Sequence, residues 1–346
     1  MIKTNNHAQS VPLKQRIAHS VWRFLLDSPL GASVEQALIW LGHLYPYHYW
    51  PGQGAAIAEI SQQRAGQDLV ATLADGVQIV VPAIPEGVLA YMKGCYVEEG
   101  TVRLFQRFVR KGNILFDVGA NMGVYTFLAA KSCGSAGHVY AFEPQANLVK
   151  CLDRSVSLNG YEARVTVVCA AVSNDHGSQA TLFYAANRDG TGIPSLFAHE
   201  WLDAESGMRV PTVSVDGYRQ EKGIERVDVI KIDVEGAEML VLRGMQRTLE
   251  ETPPDLMVLE VLPDTLSFQN IAMGAPLHQA PNAATPDNVV KFLTGHGYEP
   301  RHIRRNGCLG RVYNYADLQS ITWSTNIAFV LPNLKITRPE VFAVDS

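Results

Sequence analysis

The residues Ile114 to Thr126 read ILFDVGANMGVYT. An apolar run ends in the carboxylate of Asp117. Gly119 and Gly123 then bracket Ala120, Asn121 and Met122, and a helix-like pattern follows. A strand, a glycine turn and a helix in that order belong to an open α/β sheet, where ligands bind at the carboxyl ends of the strands near the point at which strand order reverses. Glycines at 119 and 123 allow backbone angles and close approach that a Cβ would block. The free N–H groups of the following helix lie nearby. The spacing is G-x-x-x-G, which is not the dinucleotide fingerprint G-x-G-x-x-G, and there is no Gly-Lys-Ser/Thr phosphate loop. Asp117 decides the sign of the ligand. A carboxylate beside the loop repels a pyrophosphate and attracts a cation, so an amino-acid moiety bearing an ammonium fits better.

Downstream, strands and helices alternate, which implies a parallel sheet with helices on its faces. Strands are expected over 114–118, 138–143, 165–170, 227–233 and 255–261. Helices are expected over 123–132, 145–158 and 236–250, the second stopped by Asn159-Gly160 and the third by Pro253-Pro254. The insertion 173–226 carries two candidate strands, 181–185 and 210–215. Residues 262–284 read as a long loop of the kind that is functional or disordered. Thr285-Pro286-Asp287 opens a helix that Gly295 and Gly297 end, and 298–304 and 321–330 close the domain as strands.

Two more strand tips carry acids. HVYAFEP places Glu143 twenty residues after Gly123, where an acidic side chain accepts hydrogen bonds from ribose hydroxyls. VDVIKIDVEGAEMLVLRG, residues 227–244, clusters Asp233, Glu235 and Glu238 where an apolar strand becomes a helix. Acids in a first helical turn are favoured by the dipole and by capping, but that needs one or two acids rather than three.

Upstream, residues 17–44 show helical periodicity split by Pro29 and Gly31. LYPYHYWPG, 44–52, is dense in aromatics and reads as a hydrophobic anchor, with contact to a membrane surface or an acceptor as the other reading. Residues 69–82 read as a hairpin turning at Asp75-Gly76, and a short helix covers 100–110. The domains expected are an extension of helices and hairpin over 1–93 and a main body over 94–340.

The chain has 346 residues, 47% apolar and 18% charged, with a formal net charge of −5. This is a globular composition without the basic face of a nucleic-acid binder. The five cysteines are odd in number and include no C-x-x-C pair, so neither a zinc site nor a disulfide framework is indicated. No run approaches the ~18 apolar residues of a membrane span. The opening MIKTNNHAQSVPLKQR has no apolar core of a secretory signal, so the expected location is the cytoplasm.

DVGANMGVYT, AFEP, AAVSN (170–174) and KIDVEGAE, in this order and spacing, resemble the FkbM family of S-adenosylmethionine-dependent methyltransferases over roughly residues 94 to 262. The resemblance implies a class I, Rossmann-like, seven-stranded and mostly parallel sheet with an antiparallel last strand and helices on both faces. It implies S-adenosyl-L-methionine as cofactor. Asp117, Gly119, Ala120, Asn121, Gly123 and Tyr125 would surround its methionine part, Glu143 with Pro144 its ribose, and Ala171 and Val172 its adenine, with Asp233 at its amino end. The implied reaction is O-methylation of a small molecule or glycan. Glu235, Glu238 and Asp233 are then the candidate bases, and His199 in the insertion is an alternative. The family's G-x-S-S-L-like stretch reads TGIPSLF here, 191–197, with Pro194 in place of a common serine, which leaves Ser195 without an assigned role. No metal is assigned, since the acids form no recognised ligand loop. Two rival readings are a catalytically idle cofactor-binding partner and an NAD-dependent oxidoreductase, the latter disfavoured by the glycine spacing.

Overall fold

The computed structural model describes residues 57–65, 68–73, 76–82, 98–183, 196, 207–261, 284–321 and 325–342. The aromatic segment 44–52, His199, Ser195 and nearly all of the 262–284 loop lie outside them. The first elements are β1 (Ile57–Ala65), β2 (Asp68–Leu73), β3 (Gln78–Val81) and α1 (Glu99–Phe108). Then come β4 (Ile114–Val118), α2 (Val124–Cys133), β5 (His138–Phe142), α3 (Ala146–Asn159), β6 (Val165–Val168) and β7 (Ala171–Val172). The middle of the chain forms β8 (Ser178–Leu182), β9 (Met208–Val213), α4 (Val215–Lys222), β10 (Val229–Ile232), α5 (Glu238–Arg243), α6 (Gln246–Glu251) and β11 (Leu256–Val261). The last part supplies α7 (Pro286–Gly295), β12 (Glu299–Ile303), β13 (Leu309–Val312), α8 (Tyr315–Gln319), β14 (Thr325–Val330) and α9 (Leu334–Thr337).

The central sheet runs β13-β12-β14-β11-β10-β4-β5-β6. β11, β10, β4, β5 and β6 pair in parallel, and β14 inserts antiparallel between β11 and β12. This is the class I methyltransferase arrangement anticipated from the motifs, and strand order reverses between β4 and β10. An eighth strand, β13, lies on the edge. It went unread because it is short, carries Gly310, and exposes Arg311 and Val312. The turn before it, with Gly307 at φ +80°, follows Asn306, which is a hairpin signal.

Alternation along the strands sends side chains to two cores. Leu115, Val229, Val258 and Ala328 face the cluster that includes α1 and α2. Phe116, Ile230, Ile232 and Leu259 face the opposite cluster with α4, α5 and α7.

Two expectations are corrected. The third helix, expected unbroken over 236–250, is split into α5 and α6 at Gly244. There the chain passes so close to the insertion that a Cβ would lie 2.2 Å from the Ser173 carbonyl oxygen, and the Gly244 carbonyl accepts from Asp216 N at 2.9 Å. Its start also moves to Glu238, because Glu235 (φ +52°) and Gly236 (φ +95°) turn left-handed. The hairpin expected over 69–82 is part of a three-stranded antiparallel sheet that also takes in β1. Its β3 edge is satisfied by side chains of α3. Val80 N donates to Ser155 Oγ at 2.8 Å, and Gln78 N donates to Asn159 Oδ1 at 3.0 Å.

In the insertion, β8 and β9 pair antiparallel and β7 joins β9 in parallel, forming a separate small sheet. No helix among the described residues is long and apolar enough to cross a membrane.

Candidate functional site

The loop after β4 is a run of left-handed residues: Gly119 at φ +80°, Asn121 at +51° and Gly123 at +87°. It is pinned to the end of β5, since Gly119 N and Ala120 N both donate to the Phe142 carbonyl, at 3.0 and 2.9 Å. It also lies against the end of β10. A Cβ on Gly119 would fall 1.8 Å from the Asp233 carbonyl oxygen, a contact with backbone that no rotamer relieves.

The acid at the end of β5 joins the same knot. Glu143, 3% exposed, accepts from Asn121 N through one oxygen and from Gln145 N through the other, each at 2.9 Å. Burial pushes its carboxyl up to about 7, although these two donors pull the other way. Asp117 is buried as well and accepts from Thr126 Oγ1 at 2.5 Å. Burial raises it to about 6, opposed by Thr126 and then by Lys231. Three strand ends, those of β4, β5 and β10, thus meet at the switch point.

A narrow cleft opens there. Gly119, Phe142, Pro144, Ala170, Ala171, Val172, Asp233, Val234 and Glu235 line it, together with Leu182 and Leu196 of the insertion. Of the residues singled out in the sequence, Gly119, Pro144, Ala171, Val172, Asp233 and Glu235 reach the cleft surface. Asp117, Glu143, Ala120, Gly123 and Glu238 are buried and do not line it, and Asn121 is exposed. Tyr125 is buried and its hydroxyl donates to Glu98.

The third acid cluster sits at the end of β10. The Asp233 side chain is 27% exposed and accepts from Lys231 Nζ at 3.1 Å. Burial would raise its carboxyl, but Lys231 and a hydrogen bond from Glu260 outweigh that and hold it below the ordinary aspartate range. Glu260 keeps a proton, pushed up to about 10 by burial and then by Asp233. Glu235 is raised well above the ordinary range by burial, Asp233 and Glu238. Glu238, 1% exposed, accepts from Gly236 N at 3.1 Å and is pushed up to about 7 by burial. Carboxylate oxygens of Asp233, Glu235 and Glu260 come within 4.8 Å of one another.

Sequence reasoning missed Glu98, Glu260 and Asn326 and gave Lys231 no role. A signal existed for two of them, because Lys231 interrupts VIKI and Glu260 interrupts LMVLEV, charges placed inside otherwise apolar strands. Glu98 and Asn326 are legible only from contacts.

The sheet order and the acid-walled cleft at its switch point define a class I methyltransferase. The family model for the methyltransferase FkbM domain matches residues 117–300, more than half of the chain, and the protein belongs to that family. Its cofactor is S-adenosylmethionine. Among curated relatives, the chain is similar to a hexuronic acid methyltransferase, AglP, of Haloferax volcanii, with 28% identity over 153 residues, 44% of this chain and 58% of the relative. It is also similar to the 31-O-demethyl-FK506 methyltransferase FkbM of Streptomyces tacrolimicus, with 27% identity over 176 residues, 44% of this chain and 64% of the relative. It spans about 60% of the length of these proteins. A solved methyltransferase FkbM from Methylobacillus flagellatus superposes with a TM-score of 0.36 at 15% identity, covering 64% of this chain and 44% of that one.

Proposed function

We propose that this methyltransferase transfers the methyl group of S-adenosylmethionine to a hydroxyl of a sugar, glycan or hydroxylated natural product. The observation that carries the reading is the knot of hydrogen bonds that joins the ends of β4, β5 and β10, with Asp233 lining the cleft there and Asp117 and Glu143 buried behind it. Relatives named for hexuronic acid and for a demethylated macrolide support an oxygen acceptor. The catalytic unit is read as residues 94–340, with 1–93 as an extension and the cytoplasm as its location.

The chain fits this cofactor on its own geometry. Gly119 lets the loop after β4 pass directly against the Asp233 backbone, which brings the ends of β4 and β10 together at the cleft. The apolar Phe142, Ala171 and Val172 offer a slot for a flat base. Glu143 has lone pairs to spare beside its two backbone donors and is the acceptor for ribose hydroxyls. Asp233 faces the cofactor's amino end. Asp117 and the backbone of Ala120, Asn121 and Gly123 enclose the methionine part, with Tyr125 bracing the helix behind them.

Bound, the cofactor supplies an electrophilic methyl group on a positively charged sulfur. The protein holds the acceptor oxygen in line, and such positioning is worth roughly 7–11 kcal/mol. It also takes the hydroxyl proton, which adds about 10²–10⁴-fold. Glu235 is the leading base because it lines the cleft. Its raised affinity for protons makes its anion a good acceptor, and positive charge in the cleft favours that anion. Glu238, near 7, is poised for the same task one layer deeper, and Asp233 is third because Lys231 and Glu260 already occupy it.

The test is calorimetric binding of S-adenosylmethionine, followed by transfer of an isotopically labelled methyl group to a panel of uronic acids, neutral glycosides and hydroxylated macrolides. A labelled methyl ether is the expected product. No donor binding, or a label found only on nitrogen or carbon, would overturn the reading.

A further inference from the structure

We propose that Lys231 is a positioning residue of the cofactor site, whose buried ammonium holds the Asp233 carboxylate at the cleft wall. This rests on Asp233 being the acid that faces the cofactor.

Lys231 stands in the middle of β10, where every residue is buried, and is itself 1% exposed. Pure packing would place a β-branched residue here, as at Val229, Ile230 and Ile232. A buried ammonium is costly unless it is paired. In parallel register Lys231 stands beside Asp117 on β4 and Val258 on β11. Asp233 lies two residues on, so both side chains leave the same face of the sheet. Nζ reaches up 3.1 Å to Asp233 Oδ2 and lies 5.4 Å from the centre of the Tyr125 ring. That ring ends in the hydroxyl that donates to Glu98, and Asn326 hydrogen-bonds Glu98 from β14.

The groups around Asp233 are lopsided. Lys231 faces it from β10 and Glu260 from β11. Glu235 and Glu238 face it from the turn into α5, and Glu98 from the start of α1, with Asp117 close by on β4. Among these described groups Lys231 is the single cation. Without it the cluster would relieve its repulsion by taking up protons, and Asp233 would lose the charge with which it attracts an ammonium. Asp233 would also lose the donor that anchors Oδ2.

The experiment is calorimetric titration with S-adenosylmethionine from roughly pH 4 to 9, on wild type, Lys231→Met, Lys231→Arg, Asp233→Asn and the Lys231→Met/Asp233→Asn double variant. Lys231→Met is expected to raise Kd about tenfold or more at pH 7 and to move the lower acid limb of binding, the one that Asp233→Asn removes, about one pH unit or more upward, since one pKa unit is tenfold. Lys231→Arg should restore the limb. The double variant should bind no worse than Asp233→Asn alone, because a residue that acts through another is non-additive with it. If Lys231→Met fails to fold, Lys231→Gln carries the same expectation. A lowered melting temperature with unchanged Kd and pH profile, or losses that add fully in the double variant, would overturn the proposal while leaving the functional reading intact. A wild-type chain that binds no S-adenosylmethionine would sink the functional reading and this proposal together.

Discussion

Replacing Glu143 with glutamine keeps the size of the side chain and removes what the site needs from it. The carboxylate accepts two backbone N–H groups, Asn121 N and Gln145 N, one on each oxygen. An amide has only one acceptor atom, so its NH₂ end must face one of these donors. One hydrogen bond to a charged group is then lost, worth about 1.5–3 kcal/mol. If Asn121 is the donor abandoned, the left-handed loop around Gly119 loses its tie to β5, and a ribose loses a charged acceptor. A ribose hydroxyl bonded to a charged acceptor is worth about 1.5–3 kcal/mol, so at about 1.4 kcal/mol per decade its loss should raise Kd for S-adenosylmethionine roughly 10- to 150-fold. The pH dependence sharpens the test. Glu143 is pushed up to about 7, so donor binding to the wild type should strengthen as pH climbs through that value and the anion forms. Glu143→Gln should lose that limb. Calorimetry on both proteins across the range reads both quantities. A Kd within about threefold of wild type at every pH, against the energy above, would refute the assignment of Glu143 to the cofactor.

Gly119→Val should abolish donor binding, because its Cβ would overlap the Asp233 carbonyl and its left-handed backbone angle resists a β-branched residue; calorimetry on a variant shown to be folded by circular dichroism checks it. Glu235→Gln and Glu238→Gln should each leave donor Kd nearly unchanged, and whichever removes the base should slow methyl transfer about 10²–10⁴-fold in single-turnover assays. The ligand-free protein should lose melting temperature as pH rises from about 4.5 to about 7. Glu143 and Glu238 (about 7) and Asp117 (about 6) bind protons more tightly folded than unfolded, so their stabilisation is complete at the acid end and is lost as pH passes their folded values; a melting temperature that climbs across this window contradicts it. Transfer should survive exhaustive dialysis against a chelator, since Lys231 already provides the charge beside Asp233; activity lost and then restored by Mg²⁺ would show that the acids take a metal instead.

The strand–turn–helix of Ile114 to Thr126 was legible because its signals are local. A two-residue period, glycines at strained angles and a helical apolar pattern all act within a few residues of one another. The acids Asp117, Glu143 and Asp233 were legible for the same reason, since each closes an apolar run and a strand tip is where such a run must end. The break at Gly244 was not, because it arises from a neighbour, Ser173, that is distant in sequence and presses on the helix. Nor was the insertion's share of the cleft, where Leu182 and Leu196 look like ordinary core residues until they pack with Ala171 beside it. The set of Glu98, Lys231, Asp233, Glu260 and Asn326 spans more than two hundred positions. Periodicity tells each residue which face of its own strand it occupies. Which faces then adjoin depends on strand order, and strand order is settled by the packing of whole helices on the sheet, a long-range energy that no short window contains.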